Sequence, residues 1–344
     1  DLARHYANAY VSLDPTARNS SDTRLVALLL DRARDADSEA ARLIDTASVH
    51  TLFEAVLDGS LALWPDSGET AVRLIRRMGE PQRADGGNAA WVLDSLMWPQ
   101  YLAATLAFRG HLREAYEADE RLLLDASASR WSAFLDPFLD LSLLGVIPDS
   151  IARSTFGRSF EAGASWGDDF TPRHLQGLPW WLAHRDSTSL ERLAARAAKK
   201  SQEPNPPVIT LRARLLGATA SAFLALVRGD SVTALQKLQA IPDTLCMAAN
   251  CFYLNFTLAK LLTARGEYRR AEVVLERWRW DAAGTPTFVL AMLERGRIAE
   301  RLEEREKAIE SYGFVADAWH RADPELEPYV IEAREGLRRL TRNR

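Results

Sequence analysis

Cysteine is almost missing from this chain: 344 residues hold two, Cys246 and Cys251. A pair cannot build the multi-bridge framework of small secreted domains. Five positions apart on one helical stretch, the two side chains point to different faces and read as small buried hydrophobes. Histidine is equally sparse. The six, at positions 5, 50, 111, 174, 184 and 320, form no H-E-x-x-H and no i, i+4 pair that would set two imidazoles on one helix face, so neither a metal nor a cofactor is implied. Gly86-Gly87 lacks the lysine and the flanking strand of a phosphate-binding loop. No charge sign dominates, with 43 Lys and Arg against 47 Asp and Glu. The signs interleave through the last 80 positions, which argues against nucleic acid and anionic membranes as partners. No apolar run approaches the roughly 18 residues of a membrane span. Alternating Val/Ile runs of strand length are scarce as well, which removes a sheet from consideration.

What remains is helix. Hydrophobic residues make up 47% of the chain and charged residues 26%, the balance of a globular protein able to bury a substantial core. Apolar positions recur three and four apart, as in Leu96, Leu102, Leu106 and again in Leu254, Leu258, Leu261, Leu262. Short breaks separate the runs: Leu13-Asp14-Pro15, Trp64-Pro65-Asp66-Ser67-Gly68 and Ile147-Pro148-Asp149-Ser150. Such punctuation ends one helix and caps the next. The expected architecture is all-α, built from paired antiparallel helices.

The second half repeats. Ala222, Ala259 and Gly296 stand 37 residues apart, as do Ala234, Ala271 and Ala308. Between each pair of small residues falls a turn, at Arg228-Gly229, Arg265-Gly266 and Leu302-Glu303, while Leu224, Leu261, Ile298 and Leu238, Leu275, Tyr312 repeat in phase. Small residues at two fixed offsets let paired helices approach closely, and larger ones fill the seam between neighbouring pairs. An earlier unit fits the same separations with Ala103, Gly110 and Ala115.

This pattern resembles the tetratricopeptide repeat (TPR), in which a small residue of helix A, a turn glycine and an alanine of helix B twelve positions on recur along the chain. The likeness covers 208–323 best, then 96–124. It departs from the family in its longer period, in lacking the signature Trp and Tyr of helix A, and in Glu303 at the last turn. The resemblance implies a right-handed superhelix of stacked antiparallel helix pairs, a TPR-like α-solenoid. Residues 1–207 would form an irregular hairpin array and 208–344 the TPR-like repeats, in one continuous superhelix. The cluster Pro204, Pro206, Pro207 marks the candidate boundary. Ala3, Ala7, Tyr10, Leu13 and Pro15 match the end of a repeat's helix B, so the chain reads as a piece of a longer protein.

Two stretches mimic catalytic motifs. Gly163-Ala164-Ser165-Trp166-Gly167 matches G-x-S-x-G, but its serine needs a strand beneath it and an acid and a histidine after it in order. The preceding Phe156–Glu161 is polar rather than strand-like, so Ser165 is expected to be a loop hydroxyl. Asp168-Asp169 before Phe170-Thr171-Pro172 reads as a helix cap rather than an acid/base pair. The ten tryptophans suit either a binding groove or the seams between stacked pairs; Trp180-Trp181 cannot both face one way, so one of them is expected at the surface or at a contact.

In the TPR phase, helix A lines the concave face. The resemblance sets Tyr253, Phe256 and Lys260 of one unit there, with Arg297 and Arg301 of the next and Glu300 among them. Cations over an aromatic floor resemble the family's clamp for an acidic peptide or a C-terminal carboxylate, although the asparagines that complete that clamp are missing. The implied function is a non-catalytic protein–protein interaction or sensory module of a larger bacterial signalling or regulatory protein, attached to a kinase, a cyclase or a transcription regulator. It would be cytoplasmic, or periplasmic if a membrane span lies upstream. The alternatives are an (α/α)-toroid carbohydrate-active enzyme with a Trp-lined cleft, and a small-ligand sensor.

Overall fold

The structure is a computed structural model that describes residues 97–125, 135–162, 173–246, 251–277 and 285–342, with Val72 and Arg76 besides. Regular structure among them is helical, without a strand. Six antiparallel pairs follow one another: α1 Met97–Phe108 with α2 Leu112–Asp125, α3 Leu135–Leu143 with α4 Asp149–Ala162, α5 Arg173–Ala183 with α6 Ser187–Gln202, α7 Pro207–Val227 with α8 Ser231–Gln239, α10 Phe252–Ala264 with α11 Tyr268–Glu276, and α12 Pro286–Arg301 with α13 Arg305–Ala318. The short α9 Asp243–Cys246 precedes α10, and a 3-10 turn at Pro324–Leu326 leads into α14 Glu327–Thr341.

One turn geometry serves all six pairs. The first helix ends on a left-handed residue: Gly110, Gly145, Arg185, Gly229, Gly266 and Glu303 have φ of +83°, +76°, +53°, +82°, +76° and +61°. The next residue's N–H then donates to the carbonyl five positions back, as from His111 to Leu106, Val146 to Leu141, Asp186 to Trp181, Asp230 to Ala225, Glu267 to Leu262 and Glu304 to Ala299, at 2.8–3.0 Å. This closure satisfies carbonyls that the helix end would otherwise leave open. Asp186 and Asp230 then cap the second helix by accepting from the N–H groups of Ser189 and Thr233.

Seven positions before the turn and five after it lie the contact residues. Ala103, Ala222, Ala259 and Ala115, Ala234, Ala271, Ala308 are all fully buried. Gly296, at the corresponding position of α12, must be glycine. A Cβ there would sit 2.7 Å from Tyr312 Cε1, and one on Gly336 of α14 would sit 2.5 Å from Tyr312 Cε2. The Tyr312 ring is therefore held between two helices that only glycine lets this close.

The described residues fall into two compact units, one drawn from Asp1–Leu122 with Asp317–Asp323 and one from Leu123–Ala316 with Pro324–Arg344. In the first, segment 317–323 folds onto the α1–α2 turn. The Trp319 indole N–H donates to the Phe108 carbonyl at 2.9 Å, Asp323 N–H to the Gly110 carbonyl at 2.9 Å, and Arg113 N–H to the Asp323 carboxylate at 3.0 Å. In the second, first helices meet along α3, α5 and α7 and along α10, α12 and α14, and each second helix leans on the following pair, α6 on α7, α8 on α10 and α11 on α12. Helix α3 also meets α12.

Two sequence expectations are corrected. Trp180 and Trp181 are both buried, 1% and 3% exposed, because α5 is covered by α3, α4, α6 and α7. Trp180 joins an aromatic chain with Phe156 and Phe138, at centroid distances of 5.2 and 5.5 Å, and Trp181 lies against Gly177 one turn back. Cys246 and Cys251 are not on one helix: Cys246 is in α9, Cys251 is the N-cap of α10, and the two are joined in a disulfide with Cα atoms 5.4 Å apart. Both are buried, as expected.

The proline cluster opens α7, with Pro206 as its N-cap and Pro207 in its first turn, and α6 packs along α7 across it. By length and composition α7 could cross a membrane, and half of that stretch is buried within the protein. Residues 1–15, the Ser165 motif, Asp168-Asp169 and most of the tryptophans lie outside the described residues.

Candidate functional site

The five residues expected to bind a partner sit in two different environments. Tyr253, Phe256 and Lys260 are on α10. Phe252 and Phe256 stack at 6.2 Å, Phe252 and Tyr253 meet edge to face at 5.8 Å, and the exposed Lys260 ammonium lies 5.3 Å over the Phe256 ring. A cation held over an aromatic face keeps its charge in solvent while its stem covers apolar surface. Tyr253 is instead turned toward the protein, donating its hydroxyl to Asp140 of α3 at 3.1 Å.

Asp140 was not visible to sequence reasoning, yet it is the most heavily used buried carboxylate described. It is 1% exposed. Besides Tyr253 it accepts from the Thr287 N–H at 2.9 Å and the Thr287 hydroxyl at 2.5 Å, in the first turn of α12. An anion at a helix N-terminus is favoured by the free N–H groups and the helix dipole. One side chain thus ties α3, α10 and α12 together, and its donors leave it structural rather than acid/base work.

On α12, Arg297 is committed to protein partners. Glu332 of α14 receives two parallel bonds from Arg297 Nε and Nη2, both 2.6 Å, and the buried Glu294 receives one from Nη1 at 2.9 Å. These carboxylates, Glu332 foremost, raise the guanidinium's hold on its proton. Glu300 is likewise spoken for by Arg339 and by the Tyr312 hydroxyl at 2.8 Å, and both hold its carboxyl below the usual range. Burial first, and Glu300 second, push the Tyr312 hydroxyl up. Arg301 projects from the end of the helix, exposed. Of the expected cations, Lys260 and Arg301 stand outward and Arg297 is locked in a fork.

A second candidate is a cleft of about 430 Å³ between α8, α10 and α11. Leu238, Leu254, Leu258, Leu262 and Val274 give it an apolar lining, and Arg269, Arg270 and Arg277 stand along it with Asp243. The disulfide forms part of the wall through Cys246. Asn255, 7% exposed, also lines the cleft, and its side-chain nitrogen is buried without a hydrogen-bond partner. An amide nitrogen can only donate, and a buried donor left unmade costs about 1–3 kcal/mol. The sequence did carry a signal here: Asn255 is a lone amide in the apolar run Phe252–Leu262. Among the described residues no group of histidine, cysteine and carboxylate side chains could hold a metal.

The chain matches no family model, no curated protein and no solved structure.

Proposed function

We propose that this chain is a non-catalytic helical-repeat module, its pairs stacked in the right-handed TPR-like superhelix, that binds an acidic peptide or protein segment as part of a larger bacterial signalling or regulatory protein. The observation that carries this reading is the six-fold recurrence of one turn closure within the helix pairs, with small residues buried at fixed offsets from it in four of the six. Pairs built to stack expose a long row of first helices, and such rows serve recognition more readily than chemistry. On α10, Lys260 over Phe256 supplies charge beside an apolar contact, Arg301 extends the positive potential, and Tyr253 and Arg297 hold that surface in place. The bond between Cys246 and Cys251 favours the periplasmic side of the compartment choice, since such bonds are reduced in the cytosol.

Selection from a displayed peptide library tests the reading. Acidic segments should be enriched, their affinity should fall with added salt, and Lys260→Glu/Arg301→Glu should abolish binding while the far-ultraviolet circular dichroism stays helical. Enrichment without acidic character, or binding indifferent to the double substitution, rejects it.

A further inference from the structure

Three features stand outside the proposed peptide face: the Asp149–His184–Trp180 cluster, the disulfide, and the cleft lined by Asn255. In the first, His184 bonds the Asp149 carboxylate at 3.2 Å and the Trp180 carbonyl at 3.0 Å, which occupies both ring nitrogens. The disulfide borders the cleft through Cys246. The cleft itself is the feature with an unmet chemical demand.

Its volume, about 430 Å³, lies within the range of roughly 300–1,000 Å³ that small-molecule sites occupy. Its lining combines leucine and valine with guanidinium: among the described residues, three arginines line it and Asp243 is the one carboxylate beside them. Each arginine has a carboxylate neighbour: Arg269 has Glu272 and Glu304, Arg270 has Glu267, and Arg277 has Asp243. These arginine side chains are 65%, 59% and 47% exposed, and ion pairs at such exposure are weak enough to be exchanged for a desolvated ligand anion. Asn255 adds a donor that no protein acceptor satisfies.

We infer that this cleft is a binding site for an organic carboxylate with an aliphatic body. The body lies on Leu254, Leu258, Leu262 and Val274, and the carboxylate accepts from the Asn255 amide and from a guanidinium of the rim. A neutral apolar molecule would leave the amide unanswered, and a small inorganic anion would leave the leucines in water. The site is independent of the peptide face, because neither Lys260 nor Arg301 lines it.

Isothermal titration with decanoate, and with decanol as the uncharged control, tests the assignment on the whole chain. Decanoate should bind saturably, and decanol about tenfold or more weakly, because an ionic hydrogen bond is lost. Asn255→Leu should weaken decanoate about tenfold and leave decanol unchanged or improved, a sign that mere loss of structure would not give. Val273→Trp, at a lining residue that is 54% exposed, keeps the fold and should block both ligands. Lys260→Glu/Arg301→Glu should leave decanoate affinity as it was. Absence of saturable decanoate binding, equal affinity for decanol, or indifference to Val273→Trp overturns the inference. Loss of binding in the Lys260/Arg301 double variant overturns it too, by moving the ligand to the other face.

Discussion

The pairs in 207–318 and the pairs in 135–202 share a turn but not a sequence. In the first region the turn residues are Gly229, Gly266 and Glu303, and the contact positions around them are Ala222, Ala259, Gly296 and Ala234, Ala271, Ala308. In the second, the turns at Gly145 and Arg185 close with the same bond to the carbonyl five positions back. Their contact positions, however, are Phe138 with Ala152, two residues later than elsewhere, and Leu178 with Leu190, all buried. The hydrogen bonds of a helix end are indifferent to what fills the seam beyond it. A backbone repeat can therefore persist after its side-chain signature is gone. Here Phe138 stands where the regular region has a small residue, and its ring leads through Phe156 to Trp180 in a run of aromatic contacts.

The largest effect should come from cutting what joins these regions. Asp140 belongs to the irregular region and its donors Tyr253 and Thr287 to the regular one. Asp140→Ala strands the Thr287 N–H and the Tyr253 hydroxyl, which should cost about 2–4 kcal/mol. Urea denaturation should show a lower midpoint, and hydrogen exchange resolved by segment should show α3–α6 and α10–α12 opening at different free energies once the tie is gone. A single transition at the original midpoint would mean the carboxylate joins nothing.

Next comes the closest approach in the regular region. Gly296→Ala puts a methyl group into the Tyr312 ring at 2.7 Å and should cost about 1–3 kcal/mol. Tyr312→Leu should relieve much of that cost in the double variant, by an interaction of about 0.5–3 kcal/mol. Gly157→Ala is the counterpart in the irregular region. A Cβ at that position of α4 meets nothing within 4 Å, so the substitution should stabilise by about 0.5–1 kcal/mol. Thermal unfolding of the three variants would separate a packing glycine from a tolerated one.

The same contrast explains what could be read from the sequence. The turns at Gly110, Gly229, Gly266 and Glu303 were legible because small residues flanked them at constant offsets. Those at Gly145 and Arg185 were not, since one turn is two residues longer and the other has leucine on both sides and no glycine. Tyr253 and Arg297 were legible as a phase on a helix, but a phase gives no partners, and Asp140 and Glu332 lie 113 and 35 positions away from them. The disulfide was hidden by a helix that continues in composition through Cys246 and breaks in fact. Asn255 drew no reading from the sequence, where it is one amide in an apolar run, and only its missing hydrogen bond makes it chemistry.

A smaller effect should follow at the turns themselves. Glu303 holds φ of +61° without glycine's freedom, a conformation that costs an L-residue roughly 1–2 kcal/mol. Glu303→Gly should recover about 1 kcal/mol of it, less glycine's greater entropy when unfolded. Arg185→Gly, at +53°, should recover less, because the Arg185 guanidinium also donates to the Val227 carbonyl at 3.1 Å and that bond disappears. If both variants gain equally, the Val227 contact contributes nothing.

The smallest expected difference is electrostatic, and it again separates the two regions. Glu304, at the start of the α13 pair, is held near pKa 2 by Lys307 first and Arg269 second, against an ordinary value of 4.5. Its folded value lies below its unfolded one, so the carboxylate contributes stability above about pH 4.5. That contribution is lost as the pH falls toward 2, where the folded protein also takes up the proton. Glu300, lowered by Arg339 and by the Tyr312 hydroxyl, acts in the same direction. Hydrogen exchange followed from pH 6 to pH 2 should therefore show α10–α14 losing protection before α3–α6. Glu304→Gln should flatten the acid limb by lowering the neutral plateau toward the stability the parent protein keeps at pH 2, and added salt should shrink the gap between the two proteins, because these pairs lie at the surface. Equal acid sensitivity in both regions, or an acid limb that Glu304→Gln leaves unchanged, would assign the low-pH loosening to carboxylates elsewhere.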